Sequence, residues 1–178
     1  SAATADEKTG NINGIYTVFE NMHYANKSSV IWGENGEHTV SVIVSFSESC
    51  GLYNCSSNCD DPVWYGDFNK LWGKARCGYL HDHHEDSDRY TWRRCTAENC
   101  PGYVSSDGVK IQLAAYSYDG GIPPYTGENP ELLKIFKTLV SPNTEYKLTL
   151  SMDASGLSTF SLATGSGTEL EIQTVQHT

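Results

Sequence analysis

The chain has 178 residues, with 12 Lys and Arg against 22 Asp and Glu and a net charge of −10 at pH 7. That length supports one domain with a sizeable core, and neither a linker nor a repeat divides it. The acidic balance excludes nucleic acid as the expected partner, because no basic patch dominates, and no run is apolar over the ~20 residues a membrane helix needs.

The opening residues, Ser1-Ala-Ala-Thr-Ala-Asp-Glu-Lys8, are small and polar, as expected of a mature end left by signal cleavage. Short alternating segments separated by Gly, Asn or Ser then predict strands at 15–20, 29–32, 38–46, 89–94, 109–118, 145–152, 158–162 and 169–175. The run His38-Thr-Val-Ser-Val-Ile-Val-Ser-Phe46 is the strongest of these, being dense in β-branched residues. Asn26-Lys-Ser and Asn54-Cys-Ser are glycosylation sequons. Six cysteines lie between positions 50 and 100. An even, local set fits disulfides in a secreted, extracellular protein. The preferred pairing closes Cys95-Thr-Ala-Glu-Asn-Cys100 as a small loop between two strands, leaving Cys50, Cys55, Cys59 and Cys77 for two further bridges. A zinc reading lacks a second close pair beside Cys55 and Cys59.

His81-Asp-His-His-Glu-Asp-Ser-Asp88 reads as a solvated acidic loop. Its alternatives are a zinc or calcium site, or a histidine (His81, His83 or His84) that reaches a binding groove as a proton carrier. Trp32, Trp64, Trp72 and Trp92 can stack on sugars, though at least two are expected in the core. Further on, Asn129 as a cap, Pro130 at the first position and the stripe Leu132, Leu133, Ile135, Phe136 and Leu139 predict one short helix. Many antiparallel strands with one short helix argue for an all-β fold, a β-jelly-roll sandwich in a single domain.

The chemistry concentrates on the strand that ends in Tyr116-Ser117-Tyr118. Alternation places Lys110, Gln112, Ala114, Tyr116 and Tyr118 on one side, and Ile111, Leu113, Ala115 and Ser117 on the other. The preceding strand offers Arg89, Thr91 and Arg93 on one face. If the two strands form a hairpin, Arg93 and both tyrosines line one groove; a one-residue slip would put Arg94 there instead. Upstream, 67–79 adds Lys70, Lys74, Arg76 and Tyr79. The basic residues of an acidic chain thus gather around this strand, as a local cationic groove for an acidic polysaccharide requires.

Three motifs in order resemble polysaccharide lyase family 14. Lys70-Leu-Trp-Gly73 with Gly78-Tyr79 is similar to its Lys-Leu-Pro-Gly segment, Thr91-x-Arg93 to its Ser-x-Arg strand, and Tyr116-x-Tyr118 to its catalytic tyrosine pair. The resemblance covers roughly residues 64 to 120. Trp72 replaces the family's Pro, Thr91 its Ser, and the cysteine loop reads as an insertion. The family's members are alginate or glucuronan lyases with a concanavalin A-like jelly-roll. The resemblance therefore implies a lyase that removes the C5 proton of a uronate and expels the 4-linked oxygen. Lys70, Arg93 and Gln112 would neutralise the carboxylate; Tyr116 and Tyr118 would move the protons. Lys74 competes with Lys70, whose following Leu and Gly fit better. Thr91, Lys74, Arg76, Tyr79 and His83 would complete the substrate-binding set. No cofactor is expected; the partner is an acidic polysaccharide substrate, and the protein is expected to be a monomer. The alternative from another class is a non-catalytic carbohydrate-binding module or lectin; fold alone does not separate the two.

Overall fold

The computed structural model describes residues 5–6, 11–12, 38–48, 68–75, 87–122 and 129–178. Their strands are β1 (Ala5–Asp6), β2 (Asn11–Ile12), β3 (His38–Val44), β4 (Asn69–Ala75), β5 (Ser87–Arg94), β6 (Ile111–Tyr118), β7 (Leu133–Ile135), β8 (Tyr146–Met152), β9 (Leu157–Thr164) and β10 (Glu169–Gln176). The first two pair as a small ribbon. The others form two four-stranded antiparallel sheets, ordered β10-β9-β8-β3 and β4-β5-β6-β7. The chain leaves the first sheet after β3, builds the second as a meander, and returns to finish the first.

Period-two alternation explains why these sheets stack as a sandwich. In β8 and β9, Leu148, Leu150, Phe160 and Leu162 point inward and are fully buried; in β6, Ile111, Leu113 and Ala115 do the same from the facing sheet. Burying each large side chain contributes about 1.5–3 kcal/mol. Tyr90 of β5 crosses the interior. Its ring meets Phe160 edge-on at 5.2 Å, and its hydroxyl donates to the carbonyls of Thr149 and Ser161 at 2.7 and 2.9 Å, tying one sheet to the other. Burial pushes that phenol well above its ordinary pKa, so it stays neutral. Trp72 and Trp92 pack against this core, as expected for two of the tryptophans; Trp32 and Trp64 lie outside the described residues.

The all-β sandwich matches the expected fold class, and six of the eight predicted strands are present. Segments 15–20 and 29–32 lie outside the described residues. The predicted helix after Asn129 is corrected: Leu133–Ile135 is an edge strand on β6, with Tyr116 opposite Leu133 and Ala114 opposite Ile135. Ser117 N–H donates to the Leu132 carbonyl, Phe136 N–H to the Leu113 carbonyl, and Ile111 and Val140 exchange both bonds. A helix would leave this side of β6 without backbone partners, a cost larger than the helix propensity of a few residues. Among the described residues the only helical turn is the 3-10 segment Ser105–Asp107.

Candidate active site

The pairing register of β5 and β6 determines which side chains meet. Arg89 lies opposite Tyr116, Thr91 opposite Ala114, and Arg93 opposite Gln112. Directly opposed residues share a face. Arg93, Gln112, Tyr116 and Tyr118 therefore share the side of this sheet turned away from the core, spread along about 20 Å of β6. The two tyrosine rings lie 5.7 Å apart, inclined at 57°. Arg94 pairs with Ile111 on the core side, so the alternative register, with Arg94 in the groove, is not adopted.

Lys70 reaches the same face through a bulge. It lies opposite Thr91, while Trp72, two residues on, lies opposite Tyr90, with the register shifted between them. Without the extra residue, Lys70 and Trp72 would share a side. With it, Trp72 turns in to stack on Tyr90 at 6.0 Å, and Lys70 turns out, exposed. Gly73 follows, opposite Arg89. A Cβ there would overlap the Asp88 carbonyl oxygen and the Arg89 Cα, so β4 can approach β5 this closely only with glycine.

Arg93 is held from several sides. Its Nε and Nη2 donate to Gln112 Oε1 at 2.9 and 2.7 Å, Nη2 also donates to the Asn99 carbonyl at 2.7 Å, and its guanidinium lies 4.3 Å from the centre of the Phe68 ring. Bonding of this kind fixes a guanidinium in one plane. Gln112, its amide oxygen turned to Arg93, is buried, as are Thr91, Arg89 and Tyr118; Arg93 and Tyr116 are half-buried. Thr91 Oγ1 donates to the Ala114 carbonyl at 3.3 Å. The expected disulfide Cys95–Cys100 is formed, with its Cα atoms 5.4 Å apart.

Lys74 is on the other face. The predicted role in substrate binding gives way to a structural one, because its ammonium sits between the sheets at 2.9 Å from Asp88 Oδ2. Asp88 is buried and accepts from Ser117 Oγ and Ser158 Oγ, each at 2.6 Å; His177 Nε2 lies 2.8 Å from its Oδ1. His177 Nδ1 lies 3.5 Å from Asp119, which accepts from the Thr178 N–H and hydroxyl. Asp88 thus belongs to a buried charge cluster and not to a solvated loop. Arg76, Tyr79 and His83 lie outside the described residues, as do His81, His84, Cys50, Cys55, Cys59 and Cys77. Among the described residues no group of three or more His, Cys, Asp or Glu could hold a metal ion.

Two residues escaped the sequence reading. Alternation puts Arg89 on the correct face but assigns it no role, although counting back four from Arg93 and pairing the hairpin sets it opposite Tyr116. His177 carried no local signal, because its partner Asp88 lies 89 residues away.

The cluster predicts how stability depends on pH. Burial pushes the Asp88 carboxyl up, but the hydrogen bond from His177 and the charges of Lys74 and His177 outweigh it and hold the group below the carboxylate range. Burial pushes His177 down, but the Asp88 bond and the charges of Asp88 and Asp119 raise it above its ordinary value. A lowered carboxylate contributes stability above its unfolded pKa and loses it on acidification; a raised histidine contributes below its unfolded pKa and loses it as pH rises through the folded one. The melting temperature should therefore be highest between about pH 4 and pH 6.5, the unfolded values of the two groups, and fall on the alkaline side. Calorimetry across pH checks this: His177→Asn should flatten the alkaline fall, and an unchanged slope would refute the assignment.

Compared with known protein families, curated proteins and solved structures, the chain matches none.

Proposed function

We propose that the protein is a secreted polysaccharide lyase that cleaves a 1,4-linked uronate polymer, glucuronan or alginate, by β-elimination. The observation that carries this reading is the β5–β6 register, which gathers Arg93, Gln112, Tyr116 and Tyr118 on one face with Lys70 on the neighbouring strand. Arg93 and Lys70 neutralise the uronate carboxylate and so stabilise charge developing at C5. One tyrosine takes the C5 proton as its phenolate. The bond from C4 to the bridging oxygen then breaks, a C4–C5 double bond forms, and the second phenol protonates the departing oxygen. Neutralisation by side chains leaves no step that requires a metal. The disulfide is compatible with the oxidising compartment that secretion supplies.

A second reading, a sugar-binding module, is favoured by the buried state of Tyr118, 6 % exposed, which suits packing beneath a ligand better than proton transfer. Incubation with glucuronan and with alginate, followed by ultraviolet absorbance of the unsaturated product, separates the two. Absorbance should rise, and a chelator should leave the rate unchanged. Binding without any absorbance rise on either polymer would favour the module.

A further inference from the structure

The loop that the sequence reading treats as an insertion is built into the cationic side of the site. Its disulfide joins the end of β5 to Cys100, five residues on. Asn99 shapes the turn from within: its Oδ1 accepts from the Thr96 N–H at 2.8 Å, and its Nδ2 donates to the Arg94 carbonyl at 3.1 Å. The Cys100 N–H closes onto the Thr96 carbonyl at 3.1 Å, and the Cys95 N–H is anchored to the Lys110 carbonyl at 2.9 Å. These bonds aim the Asn99 carbonyl at Arg93 Nη2, on the edge where Gln112 already binds Nε and Nη2. Three of the five guanidinium N–H groups thus have named acceptors, one of them supplied by the loop.

We propose that the Cys95–Cys100 loop, through the Asn99 carbonyl, is a positioning element for Arg93, and that recognition of an acidic sugar on this face therefore depends on the loop being oxidised. Arg93 is two residues from Cys95, so a change in the loop reaches it through very little chain. Opening the disulfide frees the turn. Asn99 then no longer presents its carbonyl at a fixed point, and the guanidinium can pivot about its bonds to Gln112. A displacement of about 1 Å at a group that orients substrate costs up to 10²-fold in rate. The loop acts through Arg93 and is not itself catalytic.

This inference rests on the lyase reading for its kinetic consequence, but its structural part is tested without it. In protein labelled with nitrogen-15, the Arg93 Nη2–H bonded to the Asn99 carbonyl, assigned by its loss in Arg93→Lys, should give a protected NMR signal. That signal should vanish on reduction and in Cys95→Ser/Cys100→Ser, and weaken in Asn99→Ala, which keeps the disulfide and guards against a misfolded double variant. Its persistence with the loop open would overturn the proposal. With glucuronan as probe, loop opening should raise KM about tenfold or more and have no further effect in an Arg93→Ala background; an equal loss in that background would show a merely structural role and also overturn it. Failure of the wild type to cleave or bind any uronate polymer refutes the lyase reading alone, since the NMR result still judges the loop.

Discussion

Tyr116→Phe is expected to lower turnover of a uronate polymer by about 10²–10⁴-fold, the usual contribution of a positioned proton carrier. The substitution removes one oxygen from a half-buried side chain and keeps the ring, so its cost in stability should stay within about 1.5 kcal/mol, the worth of one hydrogen bond. Tyr116 is the better placed of the two phenols. It stands opposite Arg89 and is less buried than Tyr118. Tyr118→Phe, at a site facing Ser87, should also lose turnover, as the second proton carrier. Initial rates of ultraviolet absorbance with thermal melts check both. Full activity in both variants would sink the catalytic assignment.

The largest loss of stability is expected from Asp88→Asn. Asp88 is 1 % exposed and is bonded to Lys74, His177, Ser117 and Ser158. Removing its charge leaves the Lys74 ammonium and the His177 ring without their shared anion in the interior. Breaking one side of a buried pair costs about 3–5 kcal/mol, which for a chain of this size lowers the melting temperature by about 6–20 °C. Joining Lys74→Met to Asp88→Asn should recover part of this, because an apolar side chain can occupy the same interior without desolvating a charge. Denaturant unfolding of the three proteins decides the matter: a loss below about 1 kcal/mol for Asp88→Asn would show that the cluster does not hold the sheets together. Since Asp88 lies between Ser87 and Arg89 on β5, this cluster also fixes, from inside, the strand whose outer face carries the proposed chemistry.

The strands that the sequence revealed are those whose signal is local. His38–Val44, Tyr146–Met152 and Leu157–Thr164 alternate cleanly and carry β-branched or aromatic residues on the buried side, so the two-residue period survives without knowledge of any partner. β4 gives no such signal because its bulge breaks that period between Lys70 and Trp72. β7 reads as a helix because Leu132, Leu133, Ile135, Phe136 and Leu139 recur at three- and four-residue spacing after Asn129 and Pro130, a pattern that a strand segment flanked by bends can also carry. What decided between them was the open side of β6, which no local window contains.

For the site, the sequence by itself determined the residue types, the faces within β5 and β6 and the preferred closure of Cys95 on Cys100, because alternation and short loops are set by neighbours in the chain. The tertiary structure alone decided the rest. It chose the register that brings Arg93 to Gln112 and Arg89 to Tyr116 instead of admitting Arg94. It divided Lys70 from Lys74, sending one to the outer face and the other to Asp88 between the sheets. It also joined His177 to Asp88 across 89 residues. The physical reason is common to all three: each depends on which backbone groups pair across strands and on where charge can be desolvated with a partner. Both are settled only when the two sheets close on one another.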